Sequence, residues 1–144
     1  KLELAQAAGA IHLLNSGNTP LHDTLQSLTD GHGPDVVIEA VGLPATFLAA
    51  VEEVAFAGRV VYIGYAGAPV SYNTAQFVKK ELDILGSRNA TADDFAAVIE
   101  LLRAGRFPSN GVVTRIVDLE EAGQALREWS ADTASVTRIH VNLS

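Results

Sequence analysis

Apolar residues in this chain fall into two alternating kinds of run. Short runs rich in Val, Ile and Leu stand at 10–14, 36–40, 59–64 and 82–86. Between them, Leu, Val, Phe and Ala recur at helical spacing. The stretch 35–65 shows the pattern most clearly: Asp35-Val-Val-Ile-Glu-Ala-Val-Gly42, an amphipathic segment, then Gly58-Arg-Val-Val-Tyr-Ile-Gly-Tyr65. A β-branched run without polar alternation predicts a strand buried on both faces, the habit of parallel sheets. The chain order of helix end, strand, helix, strand, helix, strand predicts an α/β fold.

Local punctuation sets the element ends. Residues 1–8 read as the last part of a helix closed by Gly9. Thr19-Pro20 supplies an N-cap and a first-turn proline for a helix carrying Leu21, Leu25 and Leu28. Gly31-His-Gly-Pro34 stops it. Pro44 opens a second helix with Phe47, Leu48, Val51, Val54 and Ala55 on its apolar face. A short extended piece at 70–72 and a short helix at 74–80 precede the 82–86 strand. Thr91 caps a helix reaching Arg103, with Asp93 and Asp94 suited to its positive end and Phe95, Val98, Ile99 and Leu102 inward. After Phe107 the rhythm changes to a strand at 112–117, a helix at 119–129 opened by Asp118, and an alternating strand at 136–143. Alternation predicts an edge or a wet face. A boundary near 108–111 divides the chain into 1–107 and 108–144.

Composition narrows the function classes. At 144 residues with 48% hydrophobic content, the chain is one domain's worth with a sizeable core. The net charge of −7, with Lys and Arg scattered, argues against a nucleic-acid or anionic-membrane surface. No apolar run approaches the roughly 20 residues that span a bilayer. Cysteine is absent, which excludes disulfides and fits a cytoplasmic protein. Methionine is absent too, even at position 1, and Lys1 falls inside a helical pattern with no cap before it. The expectation is therefore the back part of a longer chain.

Candidate chemistry is sparse. His12, His22, His32 and His140 share no metal-ligand spacing. Ser16, Ser71 and Ser109 lack a nucleophile elbow. Asp93-Asp94 and Glu120-Glu121 sit at helix starts, as solvated groups favoured by the dipole. No catalytic residue and no metal ligand is assigned. Glu39 lies inside an apolar strand, where burial costs several kcal/mol unless the group is paired or neutral; it reads as a satisfied structural carboxylate or as part of a site. Ligands of open parallel sheets sit beyond the carboxyl ends of the strands. That rule selects Ala40, Val41 and Gly42, then Ile63, Gly64 and Tyr65, then Leu85, Gly86, Ser87 and Arg88. Gly42 and Gly64 serve either close backbone approach to a ligand or plain turns.

Several blocks then carry a resemblance: Lys1-Leu-Glu-Leu-Ala-Gln-Ala-Ala-Gly-Ala10, the 35–42 and 58–64 runs, Phe77-Val-Lys-Lys-Glu-Leu-Asp-Ile-Leu-Gly-Ser87, and Asp118-Leu-Glu-Glu-Ala-Gly-Gln-Ala125. In this order and spacing the chain resembles the carboxyl-terminal part of a medium-chain, zinc-type alcohol dehydrogenase. The 79–89 run is most similar to the polyol, threonine and sugar-acid dehydrogenase branch. The resemblance implies a partial Rossmann-like parallel sheet, strands 3 to 6 of a doubly wound fold, followed by a return segment of the catalytic domain. It implies NAD or NADP as cofactor of the whole enzyme. The adenosine side would lie at 40–42, the nicotinamide side at 63–65, the carboxamide edge at 85–87, and a substrate contact at Arg88. The family's catalytic zinc ligands, its Gly-x-Gly-x-x-Gly loop and the acidic ribose-binding residue lie earlier in its members, and no Gly-x-Gly-x-x-Gly occurs here. The chain alone is expected to bind no dinucleotide measurably.

In the strand order 3-2-1-4-5-6, strands 1 and 2 separate strand 3 (10–14) from strand 4 (36–40). Without them strand 4 exposes an apolar edge, an association hazard. Either a second copy pairs there, or strand 3 moves in beside strand 4. The resemblance further implies a homo-oligomer, a dimer through the segment from Pro69 to Asn73 with Val70 and Tyr72 at its centre, and no nucleic-acid or membrane partner. Two other functions stand beside the dehydrogenase reading: a non-catalytic oligomeric assembly module, and part of a zinc-free quinone or enoyl reductase.

Overall fold

A computed structural model describes residues 1–107 and 109–143, with backbone alone at Ser109 and Asn110. In chain order the elements are α1 (Leu2–Ala7), α2 (Leu21–Leu28), β1 (Val36–Glu39), α3 (Pro44–Glu53), β2 (Arg59–Tyr62), α4 (Ala75–Lys80), β3 (Asp83–Gly86), α5 (Ala92–Arg103), α6 (Ser109–Val112), β4 (Arg115–Asp118), a 3₁₀ turn (Leu119–Glu121), α7 (Ala122–Ala131) and β5 (Ile139–Asn142). The class is α/β with short parallel sheets, a partial Rossmann-like arrangement. Contacts divide the chain into two compact units, 16–89 and 1–15 with 90–144. The boundary expected at 107/108 falls at Pro108, outside the described residues.

In the 16–89 unit, β1, β2 and β3 form a parallel sheet in that order, with Val36 opposite Arg59 and Arg59 opposite Asp83. The sheet joins consecutive strands through α3 and α4, as parallel connections require. Pro44 stands at the first position of α3, where its missing N–H costs nothing. The inner face of α3 packs Ala50 and Val54 on Val60, and Val37, Tyr62 and Leu82 close around them. Val60 is fully buried and Val54 nearly so. Lys80 adds a second tie. Its Nζ donates to the carbonyls of Val51 (3.1 Å), Glu52 (2.7 Å) and Val54 (2.8 Å), closing the carboxyl end of α3. Burial lowers the pKa of that amine, against the opposing pull of Glu53 and Glu52.

The sheet departs from expectation on one side. Both faces of β1 were expected to be buried, yet Val36 and Ile38 are 53% and 61% exposed. Within this unit α3 covers only the face carrying Val37 and Glu39. Among the described residues β1 pairs with β2 alone, so no strand adds to its outer edge.

In the other unit, the strand expected at 10–14 is absent. That run is irregular, and Ile11 is 87% exposed. A β-branched run becomes a strand only when a neighbour takes up its backbone hydrogen bonds, and here none is offered. Gly9 follows α1 at φ +103°, as a helix-ending glycine should. Thr91 caps α5 in a reciprocal box with Asp94: the Asp94 N–H donates to Thr91 Oγ1, and the Thr91 N–H donates to Asp94 Oδ2 at 2.7 Å. The strand expected at 112–117 begins only at Arg115, because Val112 ends the short α6. β4 and β5 pair in parallel, Arg115 opposite Ile139, and Val117 and Ala125 are the buried centre of this unit. The expected 136–143 strand is shortened to β5. Asp118 precedes a 3₁₀ turn and makes no side-chain cap.

Candidate functional site

The carboxyl ends of β2 and β3 open into a groove of about 300 Å³ lined by Tyr62, Ile63, Gly64, Tyr65, Gly86, Ser87 and Arg88. Six of the residues selected from the sequence therefore meet in one place. The other four do not. Ala40 and Val41 line a larger trough of about 380 Å³ along the outer edge of β1, with Leu21, Leu25, Val36 and Ile38. Leu85 lies in β3, outside both, and is 47% exposed. Gly42 sits behind the groove, packed on its wall.

That wall is built from two glycines in mutual contact. Gly42 has φ +85°, a left-handed backbone that side chains rarely adopt. A Cβ on Gly42 would stand 2.6 Å from the Tyr65 carbonyl oxygen and 3.0 Å from its nitrogen. A Cβ on Gly64 would collide with Glu39 Oε2 and lie 2.5 Å from the Gly42 nitrogen. The close approach that makes these residues glycine is therefore between the ends of β1 and β2. Gly86 differs: nothing lies within 4 Å of a Cβ built there, so its edge is open to a ligand.

Glu39 holds the wall in place. Its Oε1 accepts from the N–H of Val41 (2.9 Å), the N–H of Gly42 (2.8 Å) and the hydroxyl of Thr46 (2.6 Å). The residue is 4% exposed, and among the described residues Oε2 has no hydrogen-bond partner. Burial works to raise its pKa, but the Thr46, Gly42 and Val41 bonds together hold the carboxyl below its ordinary value. The satisfied structural carboxylate expected from the sequence is thus satisfied at one oxygen.

Two aromatic contacts that periodicity did not reveal complete the surroundings. Tyr62 stacks on Phe47 with ring centroids 4.4 Å apart. Its hydroxyl donates to the Phe47 carbonyl (3.1 Å) and accepts from the Tyr72 hydroxyl (3.0 Å). Burial, then the Tyr72 hydroxyl and the Tyr72 and Glu39 charges, push the Tyr62 pKa up. Tyr72 also meets Phe77, so it is half-buried in its own chain. The only advance signal was Tyr in an otherwise aliphatic strand, whose hydroxyl needs a partner when buried.

What the groove can hold follows from which groups are committed. The N–H groups of Ile63 (2.8 Å) and Gly64 (3.1 Å) both donate to the Glu39 carbonyl, and that of Ser87 donates to the Tyr62 carbonyl at 2.9 Å. A bound ring would therefore meet the Ser87 hydroxyl, the Arg88 guanidinium and the open edge at Gly86. The volume is at the lower end of the roughly 300–1,000 Å³ of small-molecule sites. It suits one ring of a dinucleotide, and the residues present include no phosphate-cradling loop. Among the described residues no three His, Cys, Asp or Glu side chains converge to hold a metal ion. The residues do not fit a zinc site. No helix of the described residues is long and apolar enough to cross a membrane.

The family model for zinc-binding dehydrogenases matches residues 1–104. The chain belongs to the zinc-binding dehydrogenase family. It is 29% identical over 125 residues to an NAD-dependent alcohol dehydrogenase of Sulfurisphaera tokodaii, covering 87% of this chain and 35% of that protein. It is 26% identical over 126 residues to a D-arabitol-phosphate dehydrogenase of Enterococcus avium, covering 87% of this chain and 36% of the relative. Among solved structures it superposes on a short chain alcohol dehydrogenase of Escherichia coli complexed with NADH, with a TM-score of 0.86 at 26% identity, over 99% of this chain and 41% of that one. This zinc-binding dehydrogenase chain thus spans about two fifths of the length of the relatives it matches, and corresponds to their carboxyl-terminal part.

Proposed function

We propose that this chain supplies the nicotinamide-side wall of the dinucleotide cleft in a zinc-dependent dehydrogenase that oxidises secondary alcohols of polyols or sugar acids. In this reading 1–107 belongs to the nucleotide-binding domain and 108–144 to the return into the catalytic domain. The observation that carries it is the convergence of Ile63, Gly64, Tyr65, Gly86, Ser87 and Arg88 on one groove at the carboxyl ends of parallel strands. The relatives' names support a nicotinamide cofactor and an alcohol or polyol phosphate substrate. A bound NAD or NADP, held beside Ile63–Tyr65 and Gly86–Ser87, would supply the hydride acceptor. The chain's own part is positional. Ile63–Tyr65 presents a wall for the ring, Ser87 offers a hydroxyl to the carboxamide edge, and Arg88 reaches toward the substrate side. Ala40, Val41 and Gly42 face the adenosine side.

On this reading the chain alone is expected to be inactive: among the described residues no three metal-ligating side chains converge, and no Gly-x-Gly-x-x-Gly occurs in the sequence. Isothermal titration with NAD and NADH should give no measurable heat of binding; micromolar affinity would overturn that statement. The functional reading is tested by a chimera. The chain replaces the matching 41% of the Escherichia coli relative, and NADH formation at 340 nm is followed with polyol and sugar-acid substrates. Turnover by the chimera supports the reading; a folded, NADH-binding chimera without turnover contradicts it.

A further inference from the structure

Glu39 brings a negative charge to the back of the strand-end groove. Its Oε1 accepts from the Val41 and Gly42 N–H groups and the Thr46 hydroxyl, donors that favour the ionised form. None of them is a cation, and among the described residues no Lys, Arg or His forms an ion pair with Glu39. The other oxygen, Oε2, is buried without a hydrogen bond. The space that a Cβ would fill at Gly64 is taken by this Oε2 and by the backbone of Gly42. Gly64 itself lines the groove. The unpartnered oxygen therefore lies against a groove residue that has no side chain to hold it off.

That charge already reaches one lining group. Burial and the Tyr72 hydroxyl lead in pushing the Tyr62 pKa up, and the charge of Glu39 adds to them. The charge of opposite sign on the same lining counts for less. The Arg88 guanidinium lies over the Tyr65 ring, 5.4 Å from its centroid, but Arg88 is exposed. Water and salt screen an exposed charge strongly and a buried one much less. The two redox states of a nicotinamide ring have nearly the same outline, but the oxidised ring is a cation and the reduced ring is neutral. A groove of fixed shape distinguishes them chiefly by its electrostatics.

We propose that the buried, unpaired carboxylate of Glu39 biases the groove toward the cationic, oxidised nicotinamide ring over the neutral, reduced one. This bias rests on the nicotinamide reading of the groove and goes beyond it: Glu39 does more than brace the wall, because its charge sets which redox state the wall prefers. A purely structural Glu39 would hold the shape of the groove for both rings alike and leave their affinity ratio unmoved.

The test is a heteronuclear NMR titration of the chain with two ring probes, cationic 1-methylnicotinamide and neutral nicotinamide. Their affinities are expected in the millimolar range, too weak for the calorimetric titration above to read. Both should shift the Gly64, Gly86 and Ser87 amides saturably. The cation should bind about tenfold tighter, the scale of one unit charge acting across a partly buried gap. The preference should persist from about 0.05 M to about 0.5 M salt, whereas a general attraction to the chain's net charge of −7 would be screened away. Glu39→Gln, which keeps the shape and removes the charge, should bring the two probes to within about twofold of each other. Unchanged Gly42 and Tyr65 amide positions would show that its wall is intact. Should that variant fail to fold, the wild-type ratio and its salt dependence still decide. Equal affinities in the wild type, a preference that vanishes at high salt, or one that survives Glu39→Gln with the wall intact would each overturn the role of Glu39 and leave the nicotinamide reading standing. No saturable shift by either ring would remove that reading, and the bias with it.

Discussion

Replacing Gly64 by Ala tests the packed wall directly. The substitution asks nothing unusual of the backbone dihedrals, since Gly64 does not occupy the left-handed region. The cost is steric. The new methyl would stand 2.5 Å from the Gly42 nitrogen, 2.8 Å from its Cα, and against Glu39 Oε2. Two of these neighbours are backbone atoms of a turn fixed by three hydrogen bonds to Glu39, and the third is a buried carboxylate oxygen. None can swing aside as a surface side chain would. Overpacking costs about 1–3 kcal/mol, and this site belongs at the upper end. Alanine also narrows the unfolded ensemble, a gain of about 0.4–1 kcal/mol. The net loss is then about 2 kcal/mol. With a urea slope of about 1–3 kcal/mol per molar, the midpoint in urea, followed by far-ultraviolet circular dichroism, should fall by roughly 0.7–2 M. Gly86→Ala is the control, because its Cβ meets nothing within 4 Å; it should be neutral or slightly stabilising. Equal midpoints for the two variants would refute the wall as described.

Four further outcomes are expected. Glu39→Ala leaves the Val41 and Gly42 N–H groups and the Thr46 hydroxyl without their acceptor, which should cost about 3 kcal/mol or more in denaturation experiments. Because the folded carboxyl is held below its ordinary value, the unfolded chain binds more protons in the window between the two pKa values. The Glu39 share of stability is therefore full above the ordinary carboxylate range near about 4.3 and lost as pH falls through the folded value; Glu39→Gln should remove that share of the acid slope. Lys80→Met takes away the cation that closes the end of α3 at three carbonyls, and a loss of about 1–3 kcal/mol is expected, with hydrogen exchange quickened first at 52–55. For assembly, sedimentation should show a dimer through the segment from Pro69 to Asn73 that Val70→Asp disrupts; a monomer at all concentrations would count against that interface.

Elements set by local chemistry were legible. Pro44 opens α3 and Thr91 caps α5 with Asp94 where the sequence puts them, and the strands expected at 36–40, 59–64 and 82–86 appear, slightly shortened, as Val36–Glu39, Arg59–Tyr62 and Asp83–Gly86. Elements that need a neighbour were not. The 10–14 run has strand composition but no strand to bond to, and Val36 and Ile38 read as core yet lie on an uncovered face. The strand-end rule found the groove's residues because topology alone brings Ile63–Tyr65 beside Gly86–Arg88. Ala40 and Val41 follow the end of β1 and line the trough along its outer edge, apart from the groove. The bond from Thr46 to Glu39, the reach of Lys80 to the end of α3, and the stacking of Arg88 on Tyr65 depend on tertiary register. No spacing in the sequence announces them.

The most direct measurement of the central claim is a crystal structure of the chimera grown with NADH. The account predicts the nicotinamide ring in the groove between Ile63–Tyr65 and Gly86–Arg88, with its carboxamide within hydrogen-bond reach of Ser87. A dinucleotide bound in full occupancy with its nicotinamide elsewhere, and that groove filled only by water, would contradict it.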